Sequence, residues 1–301
     1  MQRGCFDPAR VQRAPQRHDD VVGNGVLPVL LEPAVAIRAR PGEHGVMTPL
    51  GRTRTALVTG STSGIGAATA RTLAARGWYV GVTGRDRARG DGVVAGIRDR
   101  GGRADLIASE LTAPADDLRA FARAAAQTLG GHVDTLVHNA AVCPAVDTLS
   151  LTDADLEAAL AVNVRAPHVL TAALAPGMVE NGSGAIVVIG SWMAHVGSPV
   201  VGLYSATKAA QIQLARSWAA EFGSHGVRVN TVSPGATRSP VNAPADDVIA
   251  RITAATPAGR PGTPEEIAAA VAVAWIVSDD AAYLHGAEIH VDGGITSTRR
   301  I

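Results

Sequence analysis

Short apolar segments with strand character alternate with helix-length segments from Thr55 almost to the C terminus. This alternation predicts a parallel β-sheet with helices on both faces, because a parallel strand is reached through a crossover that is usually a helix. The predicted fold class is therefore α/β, a Rossmann-type doubly wound sheet in a single domain. We predict seven strands, at residues 55–59, 79–83, 104–107, 135–138, 184–189, 227–232 and 288–291.

Helices are predicted between these strands from apolar periodicity. They cover residues 65–76, 114–129 and 153–175, and a further helix carries Tyr204 and ends near Phe222. In an open sheet of this kind, ligands bind at the carboxyl ends of the strands, where the strand order reverses. Side chains that directly follow a strand are therefore the first candidates for binding and catalysis.

Residues 1–50 differ from the rest of the chain. They are rich in proline and show no sustained helical or strand period. We predict an N-terminal extension that is either disordered or absent from the native protein, the latter if translation starts at Met47. Mass spectrometry of the native N terminus separates these two cases, since any peptide from upstream of Met47 excludes the late start.

Charge and composition exclude several classes of protein. Lys plus Arg is 27 and Asp plus Glu is 27, so the chain lacks the basic excess of a nucleic-acid-binding protein. The apolar run at residues 268–277 is too short to span a bilayer. Two cysteines and nine histidines match no disulfide framework and no known metal motif. We expect no nucleic-acid, membrane or metal partner, and a cytoplasmic location.

A glycine-rich turn follows the first predicted strand, from Thr59 to Gly66. Glycines allow a tight bend, and the amides and dipole at the start of the next helix attract an anion. The place of the turn, after a strand and before a helix, predicts a pyrophosphate site. A turn that binds no ligand is the alternative. The predicted cofactor contacts are Gly60, Ser61, Ser63, Gly64, Ile65 and Gly66.

The end of the second strand predicts which dinucleotide binds. An acidic residue here would hold the ribose 2′-hydroxyl of NAD, whereas an arginine accommodates the 2′-phosphate of NADP. Gly84 stands where the acid is expected, and Arg85 follows it. This pattern favours NADP(H) and leaves NAD(H) as the alternative. The alternative is that Arg85 pairs with Asp86 or with solvent.

Tyr204 and Lys208, the only lysine of the chain, form the strongest candidate for chemistry. If this stretch is helical, residues i and i+4 lie on one face, so the phenol and the ammonium are neighbours. A neighbouring positive charge would lower the pKa of the phenol and suit it to proton transfer with an alcohol or ketone. The alternative is a chance pair.

Other candidate residues follow strands or interrupt apolar helices. Asn139-Ala140-Ala141 closes the fourth strand, where small residues let a flat cofactor lie against the backbone. Ser191 follows the fifth strand, and the connection can return its hydroxyl to Tyr204. Asn163 lies in an apolar helix and needs a polar partner if it is buried. The turn Pro234-Gly235-Ala236-Thr237 offers its backbone to a carboxamide.

Together these motifs resemble those of the short-chain dehydrogenase/reductase family, from about Arg52 to Ile295. The resemblance implies a dinucleotide-binding domain over residues 51–301 with a substrate loop near 237–256, and a homo-oligomer, either a dimer or a tetramer. In the family's order, the matching segments are residues 59–66, 139–141, Asn163, Ser191, Tyr204 with Lys208, Pro234-Gly235 and residues 291–294.

The resemblance also implies a role for each catalytic candidate. Tyr204 would be the general acid in ketone reduction and the general base in alcohol oxidation. Lys208 would lower the pKa of Tyr204 and bind the nicotinamide ribose, while Ser191 would hold the substrate oxygen. Asn163 would anchor a water that relays protons to Lys208. The pair Glu110-Leu111 stands where the family contacts adenine.

Three functional hypotheses follow. The leading one is an NADP(H)-dependent oxidoreductase that interconverts a ketone, such as a 3-oxoacyl group, and a secondary alcohol. The second is an NAD(P)-dependent dehydrogenase of a sugar, a steroid or another secondary alcohol. The third is a non-catalytic dinucleotide sensor, which would not need all four catalytic residues. The mouth of the site is expected to be lined by Trp192, Met193, His195, Cys143 and Val201.

Overall fold

The computed structural model of the protein describes residues 52–268 and 273–298. The predictions for residues 1–50, including the start at Met47, lie outside the described residues. The described chain forms one seven-stranded sheet in which all neighbouring strands are parallel. The strands are β1 Thr55–Val58, β2 Tyr79–Gly84, β3 Arg103–Ala108, β4 Thr135–His138, β5 Gly184–Ile189, β6 Val227–Pro234 and β7 Glu288–Val291.

The strand order is β3-β2-β1-β4-β5-β6-β7. The chain moves outward from β1 to β3 and then returns to the other side of β1 with β4. This reversal opens a crevice at the carboxyl ends of β1 and β4. The predicted doubly wound α/β fold is confirmed, and the crevice lies beside the glycine-rich turn.

Nine α-helices are described. The helices α1 and α3 lie within one residue of their predicted bounds, and α6 ends at Phe222 as predicted. The predicted helix 153–175 is instead two α-helices joined by a π-helical turn, Ala161–Arg165. The α-helices are α1 Gly64–Ala75, α2 Arg87–Arg98, α3 Ala115–Thr128, α4 Asp153–Leu160, α5 Ala166–Glu180, α6 Gly202–Phe222, α7 Asp246–Ala254, α8 Pro264–Ala268 and α9 Val273–Ile276.

The sheet has a buried apolar cluster on each face. In β1, Ala56 and Val58 pack into one cluster and Leu57 into the other, as alternation along a strand requires. Leu73 of α1 lies on the first face and Leu170 of α5 on the second. Because both faces are covered, the central strands are apolar throughout and only their ends are available for chemistry.

The stretch Asp153–Glu180 is long and apolar enough to cross a membrane by length and composition alone. In the structure, 61% of its most apolar window is buried inside the domain. Its residues Val169, Leu170 and Leu174 belong to the second apolar cluster. The stretch therefore behaves as the core of an α/β domain.

Candidate active site

The turn after β1 is bent by two glycines in the left-handed region. Gly60 has a φ of 63° and Gly64 a φ of 53°, which other residues rarely adopt. A Cβ atom on Gly60 would also lie 2.8 Å from the Cα atom of Ala140. The turn therefore needs glycine both for its angles and for close approach by the segment after β4. Ala141, next in the chain, is exposed.

The N terminus of α1 is suited to an anion. Ser63 is the N-cap residue, but its side chain makes no capping hydrogen bond, and the first turn of α1 carries no acidic residue. The first amides of α1 and the positive end of its dipole thus lack a competing carboxylate from this turn. Ser63, Gly64, Ile65 and Gly66 fit a pyrophosphate at this place, and their individual contacts remain predictions.

Ser61 lies behind the turn and is fully buried. Its hydroxyl donates to the Val58 carbonyl at 2.7 Å and accepts from the Thr83 amide at 2.8 Å. These bonds tie β1 to β2 beneath the turn. The structure therefore gives the Ser61 side chain a structural role, and its predicted cofactor contact remains a prediction.

Thr59 and Asn139 hold the turn from the side of β4. The Thr59 hydroxyl donates to the Val137 carbonyl and accepts from the amides of Asn139 and Ala140, at 3.1, 2.9 and 3.1 Å. The Asn139 amide group donates to the carbonyls of Thr59 and Gly60 at 2.9 and 3.0 Å. Asn139 thus positions the glycine-rich turn. The role of Thr59 could not be predicted from the sequence, because its partners lie about 80 residues away.

We expect Gly66→Ala to disrupt this turn. The added methyl group would lie 2.5 Å from the Gly60 carbonyl oxygen and would collide with the Asn139 amide. Overpacking of this kind costs about 1–3 kcal/mol, so the unfolding temperature and the affinity for a dinucleotide should both fall. Gly92→Ala is the matched control, because a methyl group there meets no atom within 4 Å. Equal dinucleotide affinity in the two variants would contradict the role of the turn.

Arg85 is available at the end of β2. Its side chain is 73% exposed, and its ion pair with Glu110 is 4.0 Å long, so the pair contributes little. Asp86 is not its partner, because this carboxylate caps α2 and pairs with Arg89 at 2.6 Å. The alternative in which Arg85 pairs with Asp86 is therefore wrong.

The residues around Arg85 leave no place for an acidic side chain at position 84. A Cβ atom on Gly84 would lie 2.6 Å from the Thr62 methyl group. Glu110 is held by the amide and the hydroxyl of Thr112, at 3.1 and 2.7 Å. Leu111 is buried in the second apolar cluster. The adenine contacts predicted for Glu110 and Leu111 remain predictions.

Ser191 and Tyr204 meet at the end of β5. Ser191 starts a 3₁₀ turn, Trp192–His195, and its oxygen accepts from the Met193 amide at 3.1 Å. Burial raises the pKa of the Tyr204 phenol, and the neighbouring Ser191 hydroxyl partly offsets this rise. The hydroxyl and the phenol can therefore bind one substrate oxygen together.

Lys208 is 1% exposed and follows Tyr204 by one turn of α6. Its Nζ atom lies 5.8 Å from the centre of the Tyr204 ring. It donates to the Ile189 carbonyl at 2.6 Å and to the Gln211 side-chain oxygen at 2.9 Å. Burial lowers the pKa of Lys208 to about 7. Sequence analysis missed Gln211, whose role follows only from its contact with Lys208.

Asn163 lies in the π-helical turn between α4 and α5. Its side chain exchanges hydrogen bonds with the backbone of Val142, accepting at 2.9 Å and donating at 2.8 Å. It also donates to the Thr207 hydroxyl at 3.0 Å. Asn163 therefore links the segment after β4 to α6, which carries Tyr204. Its predicted water relay remains a prediction.

The turn after β6 lies against the segment that follows β7. A Cβ atom on Gly235 would lie 2.6 Å from the Asp292 backbone, and Pro234 ends β6. The Thr237 hydroxyl donates to the Gly235 carbonyl at 3.0 Å and is buried. Ser239 lies near the start of the predicted substrate loop, and its Cβ atom is 3.6 Å from the place of a Cβ on Gly64. The first residues of the loop 237–256 therefore lie next to the glycine-rich turn.

Comparison with known proteins agrees with this geometry. The family profile described as enoyl-(acyl carrier protein) reductase matches residues 60–296. The chain is 35% identical over 241 residues to the 3-oxoacyl-[acyl-carrier-protein] reductase FabG of Escherichia coli, covering 80% of this chain and 96% of that protein. The chain belongs to the short-chain dehydrogenase/reductase family. It is an oxidoreductase of CH–OH groups, interconverting secondary alcohols and ketones.

Other members of the short-chain dehydrogenase/reductase family show the same extent of similarity. Cis-4-hydroxycyclohexanecarboxylate dehydrogenase of Sinomonas cyclohexanicum is 38% identical over 247 residues, covering 81% of this chain and 97% of that protein. A solved short-chain dehydrogenase/reductase is 42% identical with a TM-score of 0.73, covering 81% and 98% of the two chains. A candidate NAD(P)-dependent gluconate 5-dehydrogenase of Beutenbergia cavernae, solved with NADP at low occupancy, is 36% identical, with a TM-score of 0.76 and coverage of 81% and 97%.

One prediction about this short-chain dehydrogenase/reductase is not supported by the structure. Lys208 was expected to lower the pKa of Tyr204, but burial raises the pKa of the phenol. Lys208 directs its ammonium at Ile189 and Gln211 instead. Tyr204 is therefore a neutral phenol at physiological pH in this structure.

Two residues predicted at the mouth have distinct roles. Burial raises the pKa of the Cys143 thiol, which disfavours the nucleophilic thiolate. His195 pairs with the Glu288 carboxylate at 2.6 Å, so its ring is engaged by β7. Neither residue supplies an evident nucleophile or base.

Proposed function

We propose that the protein is an NADP(H)-dependent ketoreductase. The observation that carries this proposal is the position of Tyr204 on α6, one helical turn before the buried Lys208 and close to the turn that begins at Ser191, at the carboxyl edge of the sheet. A neutral phenol can give a proton, which is the requirement of ketone reduction.

The nicotinamide, when bound, supplies the hydride to the carbonyl carbon. The Ser191 hydroxyl and the Tyr204 phenol hold the carbonyl oxygen as hydrogen-bond donors, which stabilises negative charge as it develops there. Tyr204 then gives its proton to that oxygen. Lys208, with a pKa of about 7, can hold or release a proton at neutral pH beside the phenol. Asn163 fixes α6 against the segment after β4, so this geometry is held by the fold.

Arg85 supports the choice of NADP(H), and its removal tests it. We expect Arg85→Ala to weaken NADPH binding about tenfold or more, because the loss of a charged hydrogen bond to a phosphate costs about 1.5–3 kcal/mol. NADH binding should not change. Arg119→Ala is the matched control, since it removes another exposed arginine, one that pairs with Asp116 on α3. Unchanged NADPH affinity in Arg85→Ala, measured by fluorescence titration, would overturn the cofactor assignment.

A small carbonyl compound is the proposed substrate, with 3-oxoacyl groups the first class to test. The similarity to the Escherichia coli 3-oxoacyl-[acyl-carrier-protein] reductase supports this class. A screen of ketones and secondary alcohols with NADPH and NADP⁺ tests the proposal. Faster ketone reduction supports it, and turnover limited to alcohols would favour the alternative below. Tight dinucleotide binding with no turnover would favour a sensor.

A dehydrogenase of secondary alcohols is the second candidate. It is supported by the similarity to cis-4-hydroxycyclohexanecarboxylate dehydrogenase and to the L-rhamnose 1-dehydrogenase (NAD(P)(+)) of Sphingomonas, which is 35% identical.

We also propose a cytoplasmic homo-oligomer, a dimer or a tetramer, because members of this family are commonly oligomeric. Light scattering coupled to size-exclusion chromatography tests the assembly.

A further inference from the structure

Three side chains outside the predicted catalytic centre converge at the outer edge of the sheet. Glu288 and His290 of β7 are two residues apart, so strand alternation places them on one face. His195 reaches them from the 3₁₀ turn that follows Ser191. One potential ligand atom from each of the three lies within 4.8 Å of the other two.

The distances resemble those between the ligands of a transition metal. The Glu288 Oε1 atom lies 2.6 Å from His195 Nε2 and 3.9 Å from His290 Nε2. Zinc binds imidazole nitrogen and carboxylate oxygen at about 2.0–2.2 Å, which places tetrahedral ligands about 3.3 Å apart. Movements of less than about 1 Å would bring both histidine–glutamate distances to this value. Both histidines are about one-third exposed, so their rings have room to adjust.

The surroundings fix the carboxylate. Ser233 donates to Oε1 at 2.6 Å, and Arg216 lies 3.3 Å from Oε2. The carboxylate is therefore held in one orientation, as a metal ligand must be. The Arg216 guanidinium neutralises part of the negative charge of Glu288 and repels a bound cation.

His290 also has a suitable outer partner. Its Nδ1 atom lies 3.9 Å from an Asp292 oxygen, while its Nε2 atom is the one nearer Glu288. Metal-binding histidines usually direct their second nitrogen at a carboxylate or a carbonyl. His290 also lines a cavity of about 420 Å³ next to the turn after β6, so solvent can complete the coordination.

We propose that His195, Glu288 and His290 form a binding site for a divalent transition metal of the zinc class. The metal would lie between His195 and Glu288, which now contact each other directly at 2.6 Å. It would join the turn after Ser191 to the edge strand β7 and so restrain one wall of the substrate mouth. The sequence predicts no metal, since the spacing of 93 residues between His195 and Glu288 fits no motif.

Titration of the untagged, chelator-treated full-length protein with Zn²⁺ tests the proposal by calorimetry. We expect His195→Gln and His290→Gln each to weaken the binding of one Zn²⁺ at least about tenfold. His225→Gln is the matched control, because His225 is an exposed histidine in a different turn. It should bind Zn²⁺ as the wild type does. Zn²⁺ affinity that is equal in the wild type and both variants, or no binding in the wild type, would overturn the proposal.

Two further measurements make the assignment specific. Arg216→Ala removes the opposing charge and should tighten Zn²⁺ binding, whereas unchanged or weaker binding would contradict Glu288 as a ligand. Co²⁺ bound at this site should give the visible absorption bands of a nitrogen- and oxygen-coordinated ion, and His290→Gln should abolish them. Circular dichroism establishes that each variant is folded, and the two histidine variants test the site independently.

Discussion

Tyr204→Phe should reduce turnover by about 100- to 10,000-fold, the range that general acid–base catalysis contributes. The substitution removes the phenolic oxygen and leaves the ring, so packing in α6 is kept. Affinity for the dinucleotide should change little, because the glycine-rich turn and Arg85 lie on other elements. Steady-state rates and a separate dinucleotide titration measure the two effects.

Tyr283→Phe is the control for Tyr204→Phe. Tyr283 is fully exposed, so the loss of its hydroxyl should leave turnover unchanged. A Tyr204→Phe enzyme with near wild-type turnover would exclude the phenol as the proton donor. Equal loss of turnover and of dinucleotide affinity would instead indicate damage to the fold.

Lys208→Met should alter both catalysis and the pH dependence of stability. In the native protein, measured without added dinucleotide, burial lowers the pKa of Lys208 to about 7, against about 10.4 in an unfolded chain. Between these values the unfolded chain holds a proton that the native protein has released, so the native state is penalised as pH falls. Wild-type stability should therefore rise with pH relative to the variant, by about 1.4 kcal/mol per unit above pH 7.

Urea unfolding of both proteins between pH 7 and 9 measures this difference, which should reach about 2 kcal/mol. Lys208 is the only lysine of the chain, so no second lysine titrates in this range. The variant lacks the hydrogen bonds to Ile189 and Gln211 at every pH. Their loss therefore lowers its free energy of unfolding by a constant amount and does not change the difference in pH dependence between the two proteins. Parallel pH dependence of the two proteins would show that the Lys208 pKa is not lowered. Turnover of the variant should fall about 100-fold, since the phenol loses its buried neighbour.

The sequence was sufficient for the fold because its signals are local. Strands such as Thr135–His138 and Gly184–Ile189 are apolar runs between turn residues, and their bounds agree with the prediction. α2 was not predicted, because the arginines and three glycines of its segment give no apolar period. Its start is set by the Asp86 cap.

The π-helical turn at Asn163 also escaped prediction. Its sequence is as apolar as the helices around it, so nothing in the local pattern distinguishes it. Only the bonds from Asn163 to Val142 and Thr207, which belong to distant parts of the chain, identify its role.

The sequence by itself determined the doubly wound sheet, the glycine-rich turn and the candidate set Asn163, Ser191, Tyr204 and Lys208. Each of these follows from local spacing and from the position of a residue relative to a strand. The tertiary structure decided the electrostatics, because the pKa values of Tyr204 and Lys208 depend on burial by residues far away in the chain. It also brought His195 to Glu288 and His290, since this contact forms only when β7 pairs with β6 at the edge of the sheet.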